Sequence, residues 1–253
     1  MQIGIFGDVH CNHKIFYEML MCAVENHKIT AAIQVGDFSF TKEVLKHPEL
    51  YKLPLPLYVI DGNHEDFKFL NKSLSKGEHE NWASHNLNYQ QRGSTVVLDG
   101  IRVGFIGGAM NVHRPQRMIA GNIISDDDLR RTLKEFSANP PDIVVSHSCP
   151  TGIGVGMLGN PAHKMGIYYN IIMAGYDPGP FDDCGETQLA ALWKGMAKKP
   201  RLWIFGHFHH FHRQRVGDTE FICMPSIENN VRQVLLWDTD ATDISDSLIM
   251  QPL

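Results

Sequence analysis

Long apolar runs, paired cysteines and internal repeats are all missing from this sequence. No stretch reaches the ~18 consecutive apolar residues of a membrane span, and Met1–Phe6 lacks the basic start and apolar region of a signal peptide. The five cysteines stand singly, without the Cys-x-x-Cys spacing of a zinc knuckle or a redox motif. We therefore expect reduced thiols, a cytoplasmic location and no membrane partner.

An excess of charge of one sign is missing as well. The formal net charge is -5, which argues against a broad surface for nucleic acid or anionic membranes but leaves room for a local basic patch. Without a low-complexity tract or a clean linker, the 253 residues fit one large domain, residues 1–253. The composition, 43% hydrophobic and 20% charged, is that of a globular protein.

Histidine is abundant by contrast, at 14 residues, and several histidines and carboxylates follow apolar runs that predict β-strands. These runs and their polar followers are Gln2–Phe6 with Asp8 and His10, Ala31–Val35 with Asp37, Pro56–Ile60 with Asn63 and His64, Asp142–Val145 with His147, and Leu202–Phe205 with His207 and His209. Ligands bind at the carboxyl ends of strands in open α/β sheets. We therefore expect these side chains to meet in one site.

The segments between these runs predict an α/β fold. Three of them have helical patterns: Cys11–Asn26, Asp126–Ser137 and Gly185–Lys198. Ser125, followed by three aspartates, predicts an amino-terminal cap. Two hairpins are predicted, Thr95–Leu98 with Arg102–Ile106 and Glu220–Met224 with Val231–Trp237.

Order and spacing turn these fragments into a specific pattern. The intervals from Asp8 to Asp37 and from Asp37 to Asn63 each hold one strand–helix–strand crossover. The full series is Asp8-Val9-His10, Gly36-Asp37, Gly62-Asn63-His64-Glu65, His147 and Gly206-His207-Phe208-His209. In this series, which spans residues 8 to 209, the sequence resembles the calcineurin-like metallophosphoesterases.

The resemblance implies a four-layer α/β/β/α sandwich, with two central mixed sheets flanked by helices and two neighbouring metal ions. Asp8, His10, Asp37 and His209 would hold one ion, and Asp37, Asn63, His147 and His207 the other. Mixed oxygen and imidazole ligands suit manganese, iron or zinc, as divalent or trivalent ions, better than magnesium or calcium. His64 would be a catalytic residue that protonates the leaving group or stabilises the transition state.

Such a site implies hydrolysis of a phosphoester by a hydroxide that bridges the two ions. Phosphatase and phosphodiesterase activity both remain open. Protein Ser/Thr phosphatases of this family continue their second motif as Gly-Asp-x-Val-Asp-Arg-Gly, whereas Phe38-Ser39-Phe40-Thr41 follows Asp37 here. A phosphoprotein phosphatase is therefore disfavoured, and we expect a small or nucleotide-derived phosphodiester.

Two alternatives stay open. The phrases Gly-Asp-Phe and Gly-Asn-His-Glu resemble RNA lariat debranching enzymes, although these replace the first Asp by Cys and Asp8 is present here. A nuclease or debranching activity on nucleic acid predicts a basic track beside the metals. A non-catalytic scaffold, such as the retromer subunit that keeps this fold, is the other alternative, but His64 and every ligand position survive.

Weaker signals lie elsewhere in the chain. His113, Arg114 and Arg117 form a basic loop that either grips phosphate through arginine forks or lies in solvent. The glycine-rich segment Gly152–Lys164 is either a mobile flap over the site or a flexible connector. The tryptophans, Trp82, Trp193, Trp203 and Trp237, are assigned to packing rather than base stacking, because no basic stripe accompanies them.

Overall fold

The computed structural model describes residues 1–46, 50, 53–111, 121–155, 161–228, 232–241 and 248–253. Within them the strands are β1 (Gln2–Phe6), β2 (Ala31–Gln34), β3 (Leu57–Val59), β4 (Leu87–Tyr89), β5 (Ser94–Leu98), β6 (Ile101–Ile106), β7 (Ile143–Ser146), β8 (Leu202–Phe205), β9 (His212–Val216), β10 (Thr219–Cys223), β11 (Gln233–Asp238) and β12 (Leu248–Pro252). The helices are α1 (His13–His27), α2 (Phe67–Ser75), α3 (Glu78–Ala83), α4 (Asp126–Ala138), α5 (Pro161–Ile167) and α6 (Thr187–Gly195). A 3₁₀ turn spans Val44–Lys46, and a π-helical segment spans Tyr168–Ile172.

The described strands form two mixed sheets of six strands each. The first has the order β12-β11-β1-β2-β3-β4, in which β1 to β4 run parallel, β11 is antiparallel to β1, and β12 is antiparallel to β11. The second has the order β5-β6-β7-β8-β10-β9, with β6, β7, β8 and β10 parallel. Parallel strands place their carboxyl ends at one edge, so each sheet presents an edge to which several loops contribute.

Three apolar clusters hold the layers together. Ile5 and Trp237 of the first sheet pack with Phe105 and Ile204 of the second in a core between the sheets. A second cluster joins the first sheet to α1, α2 and α3, and a third joins the second sheet to α4 and α6. Each fully buried large apolar side chain contributes about 1.5–3 kcal/mol to stability. The layers thus follow the order helix, sheet, sheet, helix, and the predicted α/β/β/α sandwich is confirmed.

The strands that precede the motifs were the easiest elements to predict. Residues of β1, β2, β7 and β8 are almost completely buried. Parallel strands covered on both faces have continuous apolar sequences, which makes them recognisable as local patterns in the sequence. Predicted and observed bounds agree within one residue for these four strands.

One predicted hairpin is confirmed and the other is wrong. The segments β5 and β6 pair antiparallel as expected. Glu220–Met224 and Val231–Trp237, however, belong to different sheets: β10 pairs with β8 and β9, whereas β11 pairs with β1 and β12. The apolar pattern identified both strands, but it holds no information on which distant strand each one joins.

The cap predicted before α4 is confirmed. Ser125 Oγ accepts a hydrogen bond from the Asp128 backbone N–H at 3.1 Å, while an Asp128 carboxylate oxygen accepts the Ser125 N–H at 3.0 Å. This reciprocal pair is a capping box, which satisfies two amides at the start of the helix. Among the described residues, no helix is long and apolar enough to cross a membrane.

Candidate metal centre

The motif side chains meet where the carboxyl ends of the parallel strands in the two sheets face each other. Asp8 and His10 follow β1, Asp37 follows β2, and Asn63 and His64 follow β3, all in the first sheet. The second sheet adds His147 after β7, and His207 and His209 after β8. Residues up to 199 positions apart in sequence therefore lie within hydrogen-bonding distance of one another.

Four of these residues form what we term the outer group: Asp8, His10, Asp37 and His209. Each offers one potential ligand atom, and these atoms all lie within 4.8 Å of one another. Nε2 of His10 is 2.9 Å from Nε2 of His209, and Nε2 of His209 is 3.2 Å from Oδ2 of Asp8. Two carboxylates and two imidazoles so placed form a possible metal-binding cluster.

A second cluster, termed the inner group, consists of Asp37, Asn63, His147 and His207. Nε2 of His147 lies 3.1 Å from Oδ1 of Asn63 and 3.3 Å from Oδ2 of Asp37. Its other ring nitrogen, Nδ1, lies 2.9 Å from the carbonyl oxygen of Val35, which fixes the ring and places a proton on Nδ1. The His207 ring centroid is 5.0 Å from that of His147. Oxygen and nitrogen atoms thus converge on a second point.

Two buried atoms in the inner group have no hydrogen bond within the described residues: Oδ2 of Asp37 and Nε2 of His207. Buried polar atoms almost always find a partner, so such exceptions call for an explanation. Oδ1 of Asp37 is fixed, because it accepts the backbone N–H of His64 at 2.8 Å. Lone pairs left without a donor, in a cluster of carboxylate, amide and imidazole groups, fit metal ions.

The backbone at several of these residues adopts a left-handed conformation that non-glycine residues rarely take. The φ angles are 45° at His10, 53° at Asp37, 68° at His207 and 60° at His209. Such angles are sterically unfavourable and concentrate at functional sites, where the surrounding structure holds them. The turns after β1, β2 and β8 are thus shaped to aim side chains.

Glycines next to the motif residues make room for the ligand atoms. A Cβ atom at Gly36 would collide with the His147 ring, one at Gly62 with the Asp37 carboxylate, and one at Gly206 with the Asp8 carboxylate. Gly36 also has a φ of 105°, which disfavours any side chain. The glycine that precedes a motif residue therefore leaves room for a ligand side chain that follows another strand.

The two groups also interact through charge. Burial raises the pKa of Asp37, but the neighbouring charges of His147 and His10 outweigh burial and hold the pKa below its usual range. Burial lowers the pKa of His147, yet the charge of Asp37 raises it to about 10. The pKa of His207 is well below its usual range because of burial and the charge of His147. The inner group thus combines an ionised Asp37 carboxylate and a protonated His147 with a neutral His207, which has a lone pair to donate.

In the outer group, burial lowers the pKa of His10. The pKa of His209 is raised, because pairing with Asp8 outweighs the effect of burial. Glu228, whose Oε2 lies 3.7 Å from Nδ1 of His209, adds to this effect. Sequence reasoning missed Glu228, which belongs to no motif and is close to His209 only in the folded chain.

Glu65 is a second residue whose place sequence reasoning did not foresee, although it ends the Gly-Asn-His-Glu motif. Its carboxylate is buried and accepts the Phe40 N–H at 2.5 Å and the Gly62 N–H at 3.2 Å. Burial, with the nearby charge of Asp37, raises the pKa of Glu65 to about 8. Glu65 therefore joins the loop after β2 to the loop after β3.

His64 lies beside both groups without joining either. Its side chain is exposed, and its ring centroid is 5.3 Å from that of His10. Its backbone N–H donates to Oδ1 of Asp37. The imidazole thus stands at the open side of the cluster.

The remaining predicted residues are only partly described. His113, Arg114 and Arg117 lie outside the described residues, so the basic-loop prediction stays a prediction. Of Gly152–Lys164, residues 152–155 and 161–164 are described. The Gly152 N–H donates to Asp183 at 2.7 Å, and the far end enters α5. Both ends of the segment are thus attached to ordered structure, while its role as a flap stays a prediction.

Comparisons with known proteins agree with this geometry. The family model for calcineurin-like phosphoesterases matches residues 1–211. The lariat debranching enzyme of Schizosaccharomyces pombe is 23% identical over 239 residues, which cover 83% of this chain and 48% of that enzyme. The chain thus spans about half the length of this curated relative.

Two solved structures are similar over nearly the whole chain. An archaeal phosphodiesterase matches with a TM-score of 0.50 at 14% identity and covers 100% of both chains. The protein TT1561 of Thermus thermophilus matches with a TM-score of 0.59 at 12% identity and covers 99% of this chain and 98% of its own. At such identities the likeness shows a shared fold. From the family match, the fold and the convergence of the motif residues, we conclude that this chain belongs to the calcineurin-like phosphoesterase family.

Proposed function

We propose that this protein hydrolyses phosphodiesters at a pair of metal ions, with the outer and inner groups as the two ligand sets. The position of Oδ2 of Asp37 is the observation that carries the proposal. This buried oxygen lies 3.6 Å from Nε2 of His10 and 3.3 Å from Nε2 of His147, and it has no hydrogen bond among the described residues. A carboxylate oxygen between two sets of ligands is suited to bridge two cations.

Two ions bound there would lower the pKa of a water molecule that they share and would neutralise phosphoryl oxygens during attack. The chain's own residues prepare the site for them. The Val35 carbonyl fixes the His147 ring, and the backbone N–H of His64 fixes the Asp37 carboxylate. The backbone N–H of His207 donates to both Asp8 carboxylate oxygens, at 3.0 and 3.2 Å. The atoms that would bind the metal ions are thus held in place before the substrate binds.

In this proposal His64 donates a proton to the oxygen of the leaving group. Its exposed ring adjoins His10 and belongs to neither ligand group, which supports a role towards the substrate. A positioned acid contributes ~10²–10⁴ in rate.

The ligand atoms support manganese, iron or zinc as the ions. The outer group has two carboxylates and two imidazoles, and the inner group has one carboxylate, one amide oxygen and two imidazoles. Imidazole suits these metals, whereas magnesium and calcium prefer all-oxygen sites.

For the substrate class we favour a phosphodiester over a phosphoprotein. The loop after Asp37 lacks the Val-Asp-Arg-Gly continuation of the protein phosphatases, because Ser39 and Phe40 stand there. The curated relative is a lariat debranching enzyme, which supports a nucleotide-derived or nucleic-acid substrate. Cleavage of nucleic acid by a nuclease or debranching reaction is therefore the second candidate.

We also propose that residues 1–253 act as one domain in the cytoplasm. Both sheets supply ligands, so neither forms the site by itself. All five cysteines are free, which supports a reducing compartment.

The test is to load the purified protein with manganese, measure its metal content and compare turnover of bis-p-nitrophenyl phosphate with that of p-nitrophenyl phosphate. We expect two ions per chain and faster hydrolysis of the diester. Faster hydrolysis of the monoester would indicate a phosphatase. Bound ions without hydrolysis of either compound would contradict the proposal in favour of a scaffold.

A further inference from the structure

A basic pocket lies between the segment after β2 and the helices α2 and α3. It has a volume of about 640 Å³, and its lining includes Lys42, Lys46, Lys72 and Lys76. Leu45, Phe69 and Trp82 supply an apolar part of the wall. We name it the lysine pocket. Its size lies within the range of ligand-binding cavities.

Among the described residues, the charge of this pocket has little to balance it. Glu78 is the acidic residue of the described lining, and its carboxylate is 3.8 Å from Lys76 Nζ, with both side chains about half exposed. Exposed pairs of this kind are weak. Within the parts of the chain that the structure describes, no carboxylate pairs with Lys42, Lys46 or Lys72. In a protein with a net charge of -5, such a concentration of cations indicates an anionic ligand.

The lysine pocket is connected to the metal centre through a short series of contacts. Glu65, next to His64, accepts the Phe40 N–H at 2.5 Å. The Phe40 ring stacks on the Trp82 ring, with centroids 5.6 Å apart and planes 19° from parallel, and Trp82 lines the pocket. Residues 38–42 lead from Asp37 to Lys42 in the lining, and residues 64–67 lead from His64 into α2, whose Phe69 and Lys72 line the pocket. These contacts run through buried side chains, so they fix the position of the pocket relative to the metal centre.

The chemistry of the lining favours phosphate groups of a chain over a base-reading contact. Lysine ammonium groups are mobile point charges that neutralise phosphates without fixing a sequence. Lys72 and Lys76 lie one helical turn apart, about 6 Å along α2 and the residues that follow it. Trp82 is 6% exposed and stacked on Phe40, so it forms the floor and offers no free face to a base.

We propose that the lysine pocket binds the phosphodiester backbone of single-stranded nucleic acid. This inference rests on the proposed function and names its substrate class as a polynucleotide. Trp82 is a packing residue, as expected from the sequence, and the fold forms the basic cluster beside it. The lysines are spread over positions 42 to 76 and form no run in the sequence.

Binding of a labelled probe by the manganese-loaded protein tests the inference. The probe is a single-stranded oligonucleotide of about 12 nucleotides with phosphorothioate linkages that resist hydrolysis, followed by fluorescence anisotropy over a salt series. The double substitution Lys42→Gln and Lys72→Gln is compared with Lys134→Gln and Lys194→Gln, exposed lysines of α4 and α6 that change the net charge equally.

We expect the pocket variant to bind at least about 10-fold more weakly at low salt. Its log–log salt slope should fall by about 1.4, since each phosphate contact of a single strand contributes ~0.7. The control variant should match the wild type. Equal affinity of both variants, or no binding by the wild type, would overturn the pocket assignment. Turnover of bis-p-nitrophenyl phosphate by the wild type decides the proposed function separately, because this small diester needs no contact beyond the metal centre.

Discussion

The outer and inner groups share Asp37 but differ in how firmly the protein holds them. In the inner group, His147 is fully buried and fixed by the Val35 carbonyl, and Asn63 is 3% exposed. In the outer group, the His209 side chain is 40% exposed and its backing carboxylate, Glu228, is itself 40% exposed. This contrast indicates a rigid inner position and an adaptable outer one, so we expect the outer ion to exchange faster and to limit activity at low metal concentration.

Asp37→Asn should have the largest effect, because both groups depend on this carboxylate. Asparagine tolerates the left-handed backbone at this position, so the change removes charge with little strain. We expect fewer than one ion per chain by elemental analysis. Diesterase activity should fall by at least about 10³-fold, more than the ~10²–10³ of one lost electrostatic contact. Asp126→Asn, in the first turn of α4, is the control. If the Asp37→Asn variant retained two ions, the two groups would not depend on the Asp37 carboxylate.

His64→Ala should reduce the turnover number by ~10²–10⁴ while both ions stay bound. The loss should be larger for an alkyl phosphodiester than for bis-p-nitrophenyl phosphate, since a good leaving group needs little help from an acid. His27→Ala, at the end of α1, should leave turnover and metal content as they are. An equal loss with both substrates would assign His64 a role other than proton donation.

Substitution of single glycines should separate the two groups. Gly206→Ala places a methyl group against Asp8 of the outer group, and Gly36→Ala places one against His147 of the inner group. Displaced supporting contacts typically weaken metal binding by about 10–100-fold. Titration with manganese should show the outer ion weakened in the first variant and the inner ion in the second.

Gly166→Ala in α5 supplies the control for these two variants, because its Cβ meets no atom closer than 3.9 Å. Metal binding in this variant should equal that of the wild type. If Gly206→Ala and Gly36→Ala weaken the same ion, the division into two groups is wrong.

Ser125→Ala should have the smallest effect and should touch neither group. It removes the capping box of α4, which lowers the free energy of unfolding by about 1 kcal/mol. Urea denaturation measures this change, and metal content should stay constant. A loss of either ion would show that the centre depends on helix α4.

The sequence predicted the buried strands and the motif residues because both are local patterns. Asp8, Asp37 and His147 each follow a continuous apolar run, and the family resemblance supplied their grouping. Long-range pairing was less accessible. The partner of β11 is β1, at the other end of the chain, and nothing local in residues 231–237 indicates it.

Contacts that depend on the finished fold escaped sequence reasoning for the same reason. Glu228 approaches His209 from a loop after β10, and Glu65 joins two loops through backbone amides. The lysine pocket assembles cations from two segments of the chain, residues 42–46 and 72–76. Each involves residues that are ordinary in sequence and acquire a role through their neighbours.

The bridging position of Asp37 is tested most directly by anomalous diffraction from crystals soaked in manganese. We expect two peaks on either side of Asp37, one contacting Asn63 and His147 and the other contacting Asp8 and His209. A single peak, or two peaks that do not share the Asp37 carboxylate, would contradict the bridging role of Asp37.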